Sequence, residues 1–363
     1  MKSKRAFILG AGFSKQAGMP LATELTSLIL EDTELKDHEE MQAWQADLKR
    51  RLVAAEGADP NDFRLNIEQL FDFAKYDEEL WRMKQQLSPV GREYGDTPWN
   101  TAEGISTWLD YMAKELYHVI WDAQKQANVE LIKRFTDQLS DDDRILSFNY
   151  DTLVETALSA TGRKWNHGLN DHEKGGVTIL KMHGSVDWIL LERRPENQLE
   201  NFVKLFSKTD TNGDAHKHQM PQEDEYAWEL WRAKDTCACN AIIEWDKSGL
   251  SNFRYFPGLA GLGRYKPLHA LPGSAQTWFT AFQALRSVEE MYIVGFSMSP
   301  YDTMARFHFT SVIQGRLNPP SKVVIIDPNA LRLAQPISVV FGRNLTLMAH
   351  KAEEVDWQRT FGG

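Results

Sequence analysis

The sequence predicts an α/β fold: a parallel sheet with helices on both faces and an inserted helical subdomain. Three observations point there. An apolar strand, Arg5 to Leu9, runs straight into Gly10-Ala11-Gly12-Phe13-Ser14 and a helix start. Further short apolar runs recur later, and each ends in small or polar residues. Between the first and second of these strands, from about Thr33 to Leu139, the apolar residues keep a helical period, over a stretch too long for an ordinary crossover.

Residues 21–30 continue the first helix. In the insertion, Met41 to Leu52 reads as one helix. Asn61 and Asp62 are placed to cap the next, which carries Ile67, Leu70, Phe71 and Ala74 at three- and four-residue spacing. Ser88 to Asn100 reads as a loop. Trp108, Met112, Leu116 and Val119 mark another stripe, and Val129 to Leu139 a last helix. The sheet resumes at Arg144 to Phe148, followed by a helix from Thr152 to Ala160 and a strand from Val177 to Met182. Residues 192–240 are polar and irregular, with Lys208 to Gln222 expected as an exposed loop. A helix from Gln276 to Val288, the strand Met291 to Val294, a helix from Tyr301 to Ile313 and the strand Lys322 to Ile326 complete the pattern. The expected organisation is a discontinuous nucleotide-binding domain over 1–30 and 141–350. A helical insertion occupies 31–140, a second, mostly irregular insertion 189–240, and a C-terminal tail 351–363.

Composition excludes several classes. With 42% hydrophobic and 25% charged residues over 363 positions, the chain is long and apolar enough to bury its own core. The 41 basic and 51 acidic residues leave a formal charge of −10, which on average repels phosphate backbones, so intrinsic nucleic-acid binding is not expected. No run approaches the roughly 20 apolar residues of a membrane span, and the one before Gly10 is short for a secretory h-region. The two cysteines, Cys237 and Cys239, are too close for ordinary disulfide geometry and too few for a four-thiolate metal site. A reducing, cytoplasmic setting fits, with no membrane contact.

Polar residues gather where a parallel sheet places its ligand crevice, at the carboxyl ends of its strands. They are Gly10 to Ser14, Asn149 to Asp151, His183 to Ser185, Gly295 to Ser297, and Asp327 with Asn329. Glycines at 10 and 12 permit a tight turn and close approach to a pyrophosphate, although Gly18 comes later than G-x-G-x-x-G requires. A ligand-free strand–helix turn would use the same residues. Asn149 and Asp151 share one side of a strand end by period two. The amide offers donor and acceptor, and the carboxylate either orients it or caps the following helix. His183 suits proton acceptance from a hydroxyl or water, or is simply a structural strand-end histidine. His167, His172, His216 and His218 fall in expected loops and read as surface residues without metal spacing.

Gly10-Ala11-Gly12-Phe13-Ser14 with Gly18-Met19-Pro20, Phe148-Asn149-Tyr150-Asp151, Met182-His183-Gly184-Ser185 and Val294-Gly295-Phe296-Ser297 together resemble the sirtuin-related (SIR2-like) family. Their order and spacing are similar to its bacterial antiphage-defence branch, as is Asn66-Ile67-Glu68-Gln69-Leu70-Phe71. The resemblance implies an inverted Rossmann-like sheet binding NAD+ as substrate. Gly10, Ala11, Gly12, Phe13 and Ser14 would hold its phosphates. Asn149 and Asp151 would face the nicotinamide ribose, with Asn149 and His183 catalytic. Gly295, Ser297 and Asp302 would line the adenosine-side ribose and phosphates, and Asp327 and Asn329 the adenine end.

Deacylating sirtuins usually carry Asp-Phe-Arg after the Gly-x-Pro step, and here Leu21-Ala22-Thr23 follows Pro20. Their four zinc-binding cysteines are missing as well, so no structural zinc is expected. The resemblance therefore implies an NAD+ hydrolase that releases nicotinamide and ADP-ribose and depletes NAD in phage defence. A homo-oligomer and a HerA-like ATPase or another defence partner are implied with it. The competing readings are an NAD-dependent deacylase or ADP-ribosyltransferase and a non-enzymatic NAD or ADP-ribose-binding subunit.

Overall fold

The computed structural model describes residues 4–30, 39–56, 66–87, 102–169, 175–192, 206–208, 228–233, 255–259, 274–299, 302–316, 318–342 and 344–361. Asn61, Asp62, His172, His216, His218, Cys237, Cys239 and the expected loop Ser88 to Asn100 lie outside them.

Seven strands form one parallel, Rossmann-like sheet: β1 (Arg5–Leu9), β2 (Arg144–Ser147), β3 (Trp165–Asn166), β4 (Val177–Lys181), β9 (Glu290–Val294), β10 (Lys322–Ile326) and β11 (Leu345–Met348). Their spatial order is β11-β10-β9-β1-β2-β4-β3. The chain builds outward from β1 on one side, then returns to its other side through β9. That reversal puts the topological switch point at β1, where the carboxyl ends of β1, β2 and β9 are the usual ligand position in open α/β sheets.

Side-chain alternation divides the core in two. Phe7, Leu9, Ile145, Val177, Ile179, Tyr292, Val294, Val324 and Ile326 face one side, and Ala6, Ile8, Leu146, Leu180, Met291, Ile293, Val323 and Ile325 the other. The second face is covered by α8 (Ser274–Ser287), α9 (Thr303–Gln314) and α10 (Ala330–Phe341). The first is covered by α1 (Ala11–Lys15), α2 (Ala22–Leu30), α3 (Glu39–Glu56), α4 (Ile67–Leu87), α5 (Ala102–Lys125), α6 (Val129–Thr136) and α7 (Leu153–Ala160). Ile67, Leu70, Phe71, Ala74, Trp108, Met112 and Leu116 share one buried cluster with Phe7, Leu9 and Phe13. The helical stripes therefore serve the sheet's core as well as their own.

Several local expectations change. The start of α4 is fixed by Asn66, whose Oδ1 accepts from Glu68 N at 2.8 Å. The region expected to be irregular contains strands: β5 (Gly184–Glu192), β6 (Phe206–Lys208) and β7 (Trp228–Ala233) join β8 (Tyr255–Leu259) in a four-stranded sheet of order β6-β7-β5-β8. These pairings are antiparallel and non-local, so no local pattern displays them. The C-terminal segment carries a short helix. It forms α11 (Trp357–Phe361), whose Trp357 and Phe361 rings pack on Phe135 at 5.2 and 6.0 Å.

Candidate active site

The glycine turn is built by backbone packing. Gly10 N donates to Val294 O at 3.1 Å and Gly12 N to Gly295 O at 3.0 Å. A Cβ on Gly10 would fall 2.6 Å from Gly295 O, and one on Gly12 2.8 Å from Gly295 Cα. Gly295 itself has φ +57, where a Cβ would stand 2.2 Å from Phe13 N. These glycines thus let two strand-end loops touch. Ala11 is exposed at the turn and Gly12 partly so. Phe13 is fully buried, with its ring edge-on to Phe135 at 5.0 Å, so its side chain belongs to the core.

Ser14, Asn149 and Asp151 come together. Asn149 Nδ2 donates to Gly10 O at 3.0 Å and to Ser14 Oγ at 2.9 Å. Both amide hydrogens are engaged within the protein, so the group left for a ligand is Oδ1, an acceptor. Asp151 Oδ1 accepts from Leu153 N at 3.1 Å and so caps α7, the bland role open to it from sequence. Burial pushes the Asp151 carboxyl up, against the opposing pull of Lys181, Ser14 and the Leu153 amide.

Beneath this turn lies a charged network that sequence reasoning missed. Lys181, 1% exposed, donates from Nζ to Asp151 O and lies 3.7 Å from Glu155 Oε1. His167 Nε2 meets Glu155 Oε1 at 3.1 Å, and Trp188 Nε1 donates to His167 Nδ1 at 3.3 Å. His167, expected on the surface, is buried. Because indole only donates, Nδ1 is the acceptor and Nε2 carries the proton toward Glu155. Burial raises the Glu155 carboxyl, but Lys181 and His167 outweigh it and hold the group at about 2. One signal was available: by period two, Lys181 shares the face of Val177 and Ile179, an apolar side where a cation needs a partner.

His183 follows β4 and is buried, with Nε2 2.7 Å from Asp302 Oδ2. Its ring stands edge-on to Phe148 at 4.9 Å. Asp302, expected near the adenosine side, is thus placed against His183, and its Oδ1 caps α9 by accepting from Ala305 N at 3.1 Å. Glu68, at the start of α4, accepts from Ser299 Oγ at 3.0 Å. Burial, with the carboxylates of Glu68 and Asp302 nearby, pushes the Tyr150 hydroxyl well above its usual value. The helical insertion therefore brings a carboxylate to the strand-end loops. It also ties the Asn149–Asp151 turn from α5, where Gln124 Oε1 accepts from Thr152 N at 2.7 Å.

The remaining residues are more peripheral. Ser297 is exposed in the loop after β9, beside Met298, which has φ +50. Asp327 accepts from Asn329 N at 2.7 Å in the turn before α10, and Asn329 is exposed. Among the described residues no group of three or more His, Cys, Asp or Glu side chains is arranged to hold a metal. No described helix is long and apolar enough to cross a membrane.

No protein-family model and no curated protein matches the chain. Solved structures do. One is a mutant Sir2 homologue in complex with ADP-ribose, at 14% identity and a TM-score of 0.37, covering 99% of this chain and 92% of that one. A structure described for Sir2 enzymes matches at 12% identity and 0.40, over 100% and 95%. A Sir2 homologue bound to NAD matches at 12% and 0.36, over 99% and 90%. At TM-scores of 0.36 to 0.40 the overlay is too loose to carry residue roles from those proteins to this chain.

Proposed function

We propose that the chain is an NAD+ glycohydrolase, cleaving the bond between nicotinamide and ribose C1. The observation that carries this reading is the meeting, at the sheet's switch point, of two polar sets on one turn. Ser14, Asn149 and Asp151 form one, and His183 with Asp302 the other, joined through Phe148-Asn149-Tyr150-Asp151. The strand-end motifs that resemble the SIR2-like family supply those residues.

The chemistry asks little of a general acid. As the C1–N bond breaks, its electron pair returns to the pyridinium nitrogen and nicotinamide leaves neutral. Positive charge then develops at ribose C1, where water adds and gives up a proton. NAD+ and water thus become ADP-ribose, nicotinamide and one proton. Asn149 Oδ1 orients the water or a ribose hydroxyl as acceptor, and His183 receives the proton. The carboxylates of Asp302, Asp151 and Glu68 give the turn a negative field suited to a developing oxocarbenium ion. The motif resemblance extends the proposal to NAD depletion in phage defence, with a homo-oligomer or a HerA-like partner ATPase as the implied setting.

The test is product analysis with purified protein and NAD+ alone. Nicotinamide and ADP-ribose are expected in equal amounts. His183→Ala and Asn149→Ala are each expected to lower turnover by about 10²- to 10⁴-fold while remaining folded by circular dichroism. Full turnover in either folded variant removes that residue's role. Nicotinamide release that requires an acylated peptide or an acceptor protein favours the deacylase or transferase reading. Tight ADP-ribose binding without product favours a binding subunit.

A further inference from the structure

We propose that Tyr150 is a ligand-binding residue: its phenolic hydroxyl donates a hydrogen bond to a hydroxyl of the nicotinamide-side ribose and so selects nucleotides that carry that sugar. The proposal rests on the NAD+ reading for the identity of the sugar, but not for the state of the hydroxyl.

The Tyr150 hydroxyl is shut off from solvent and has no hydrogen-bond partner among the described residues. A buried hydroxyl in that state destabilises the fold, and most native ones are paired. The rest of the residue is held firmly. Its backbone carbonyl accepts from Val186 N at 2.9 Å and from Ser185 Oγ at 3.5 Å, both at the start of β5. Its ring packs on the buried cluster shared by the sheet and the helical insertion. The same ring lies 6.0 Å from that of His183, tilted by 37°. Tyr150 therefore stands beside His183 while its chain neighbours, Asn149 and Asp151, hold the other polar set.

The surroundings are rich in acceptors. Asn149 commits both amide hydrogens to Gly10 O and Ser14 Oγ and presents Oδ1. Burial, and then the carboxylates of Glu68 and Asp302, keep the phenol protonated, so it acts as a donor. Carboxylate and amide oxygens take the proton of a sugar hydroxyl but offer none in return. A sugar hydroxyl completes its bonds only where a donor faces it as well, and Tyr150 supplies one not committed within the protein. A site with such a group discriminates against ligands that lack the matching oxygen, because the hydroxyl then stays unpaired.

Tyr150→Phe keeps the ring and removes only this donor. In the free protein it deletes a buried unpaired hydroxyl, so the urea midpoint is expected to be unchanged or higher. ADP-ribose binding, followed by calorimetry, is expected to weaken by about 5- to 10-fold. ADP, which lacks the second ribose, is expected to bind parent and variant alike. Unchanged ADP-ribose affinity overturns the proposal, and a fall in stability alongside it would show that the hydroxyl serves the fold. An equal loss for ADP and ADP-ribose also overturns it, by placing the hydroxyl on another part of the nucleotide. A parent that binds ADP-ribose without cleaving NAD+ sinks the hydrolase reading alone, and the titrations still decide Tyr150. A parent that binds neither NAD+ nor ADP-ribose overturns both.

Discussion

Gly295→Ala is expected to separate the loops after β1 and β9 and to cost about 3 kcal/mol or more. A Cβ at 295 would stand 2.2 Å from Phe13 N and 2.4 Å from Gly12 C, both backbone atoms that no rotamer change can move aside. The residue also sits at φ +57, where a side chain adds about 1 kcal/mol of strain on its own. Gly18→Ala is the control. Gly18 has φ +103, but a Cβ there meets nothing within 4 Å, so only backbone strain is paid. Urea unfolding of both variants, with ADP-ribose titration of each, separates the two effects. Gly295→Ala should fall in stability and lose ligand affinity, because Gly10, Ser14 and Asn149 are braced on the same loop. A Gly295→Ala protein as stable as Gly18→Ala would show that the loops do not need to touch.

Lys181→Met is expected to destabilise the fold by about 3–5 kcal/mol at pH 7, the range for a buried ion pair that loses one partner. Methionine fills the stem's space but leaves the Glu155 charge buried and removes the donor to Asp151 O. The pH dependence has a definite sign. In the parent, Glu155 is held at about 2, below its ordinary 4.5, so its contribution is present above pH 4.5 and lost as pH falls toward 2. Asp151 is shifted up by burial and acts in the opposite sense, being easier to accommodate once protonated. Without Lys181 both carboxyls titrate higher, and protonation relieves the variant. The stability gap between parent and variant should therefore be widest near neutrality and should close as the pH drops below about 4.5. Adding Glu155→Gln to Lys181→Met should recover much of the loss, since glutamine still accepts from His167 Nε2 without a charge. Urea unfolding at pH 7 and pH 4 measures all of these. A gap independent of pH would mean that Lys181 acts by packing alone.

Much of this was legible from sequence because it depends on local pattern. Strand alternation and the small or polar residues after each strand located β1, β2, β4, β9 and β10. β11 escaped because it is a half-exposed edge strand without an apolar run, and α10 because Pro336 interrupts its reading, although the helix continues through it. The β5–β8 sheet escaped because its pairings are antiparallel and distant in sequence. Asn66 accepts from the Glu68 amide at the start of α4, while Asn61 and Asp62, the caps expected from sequence, lie outside the described residues.

The sequence by itself determined which residue types end the strands, and hence that Gly10, Ser14, Asn149, Asp151, His183 and Gly295 converge on one edge of the sheet. Tertiary structure decided what each can offer there. Asn149 presents only an acceptor because Gly10 O and Ser14 Oγ, both far away in sequence, engage its two hydrogens. Asp302 belongs with His183 because α9 begins beside the end of β4. Lys181, Glu155 and His167 form one buried network because α7, β4 and the segment after β3 pack together beneath the turn. Strand ends follow from a period of two along the chain. Donor and acceptor roles follow from partners supplied by other segments, and no local pattern encodes them.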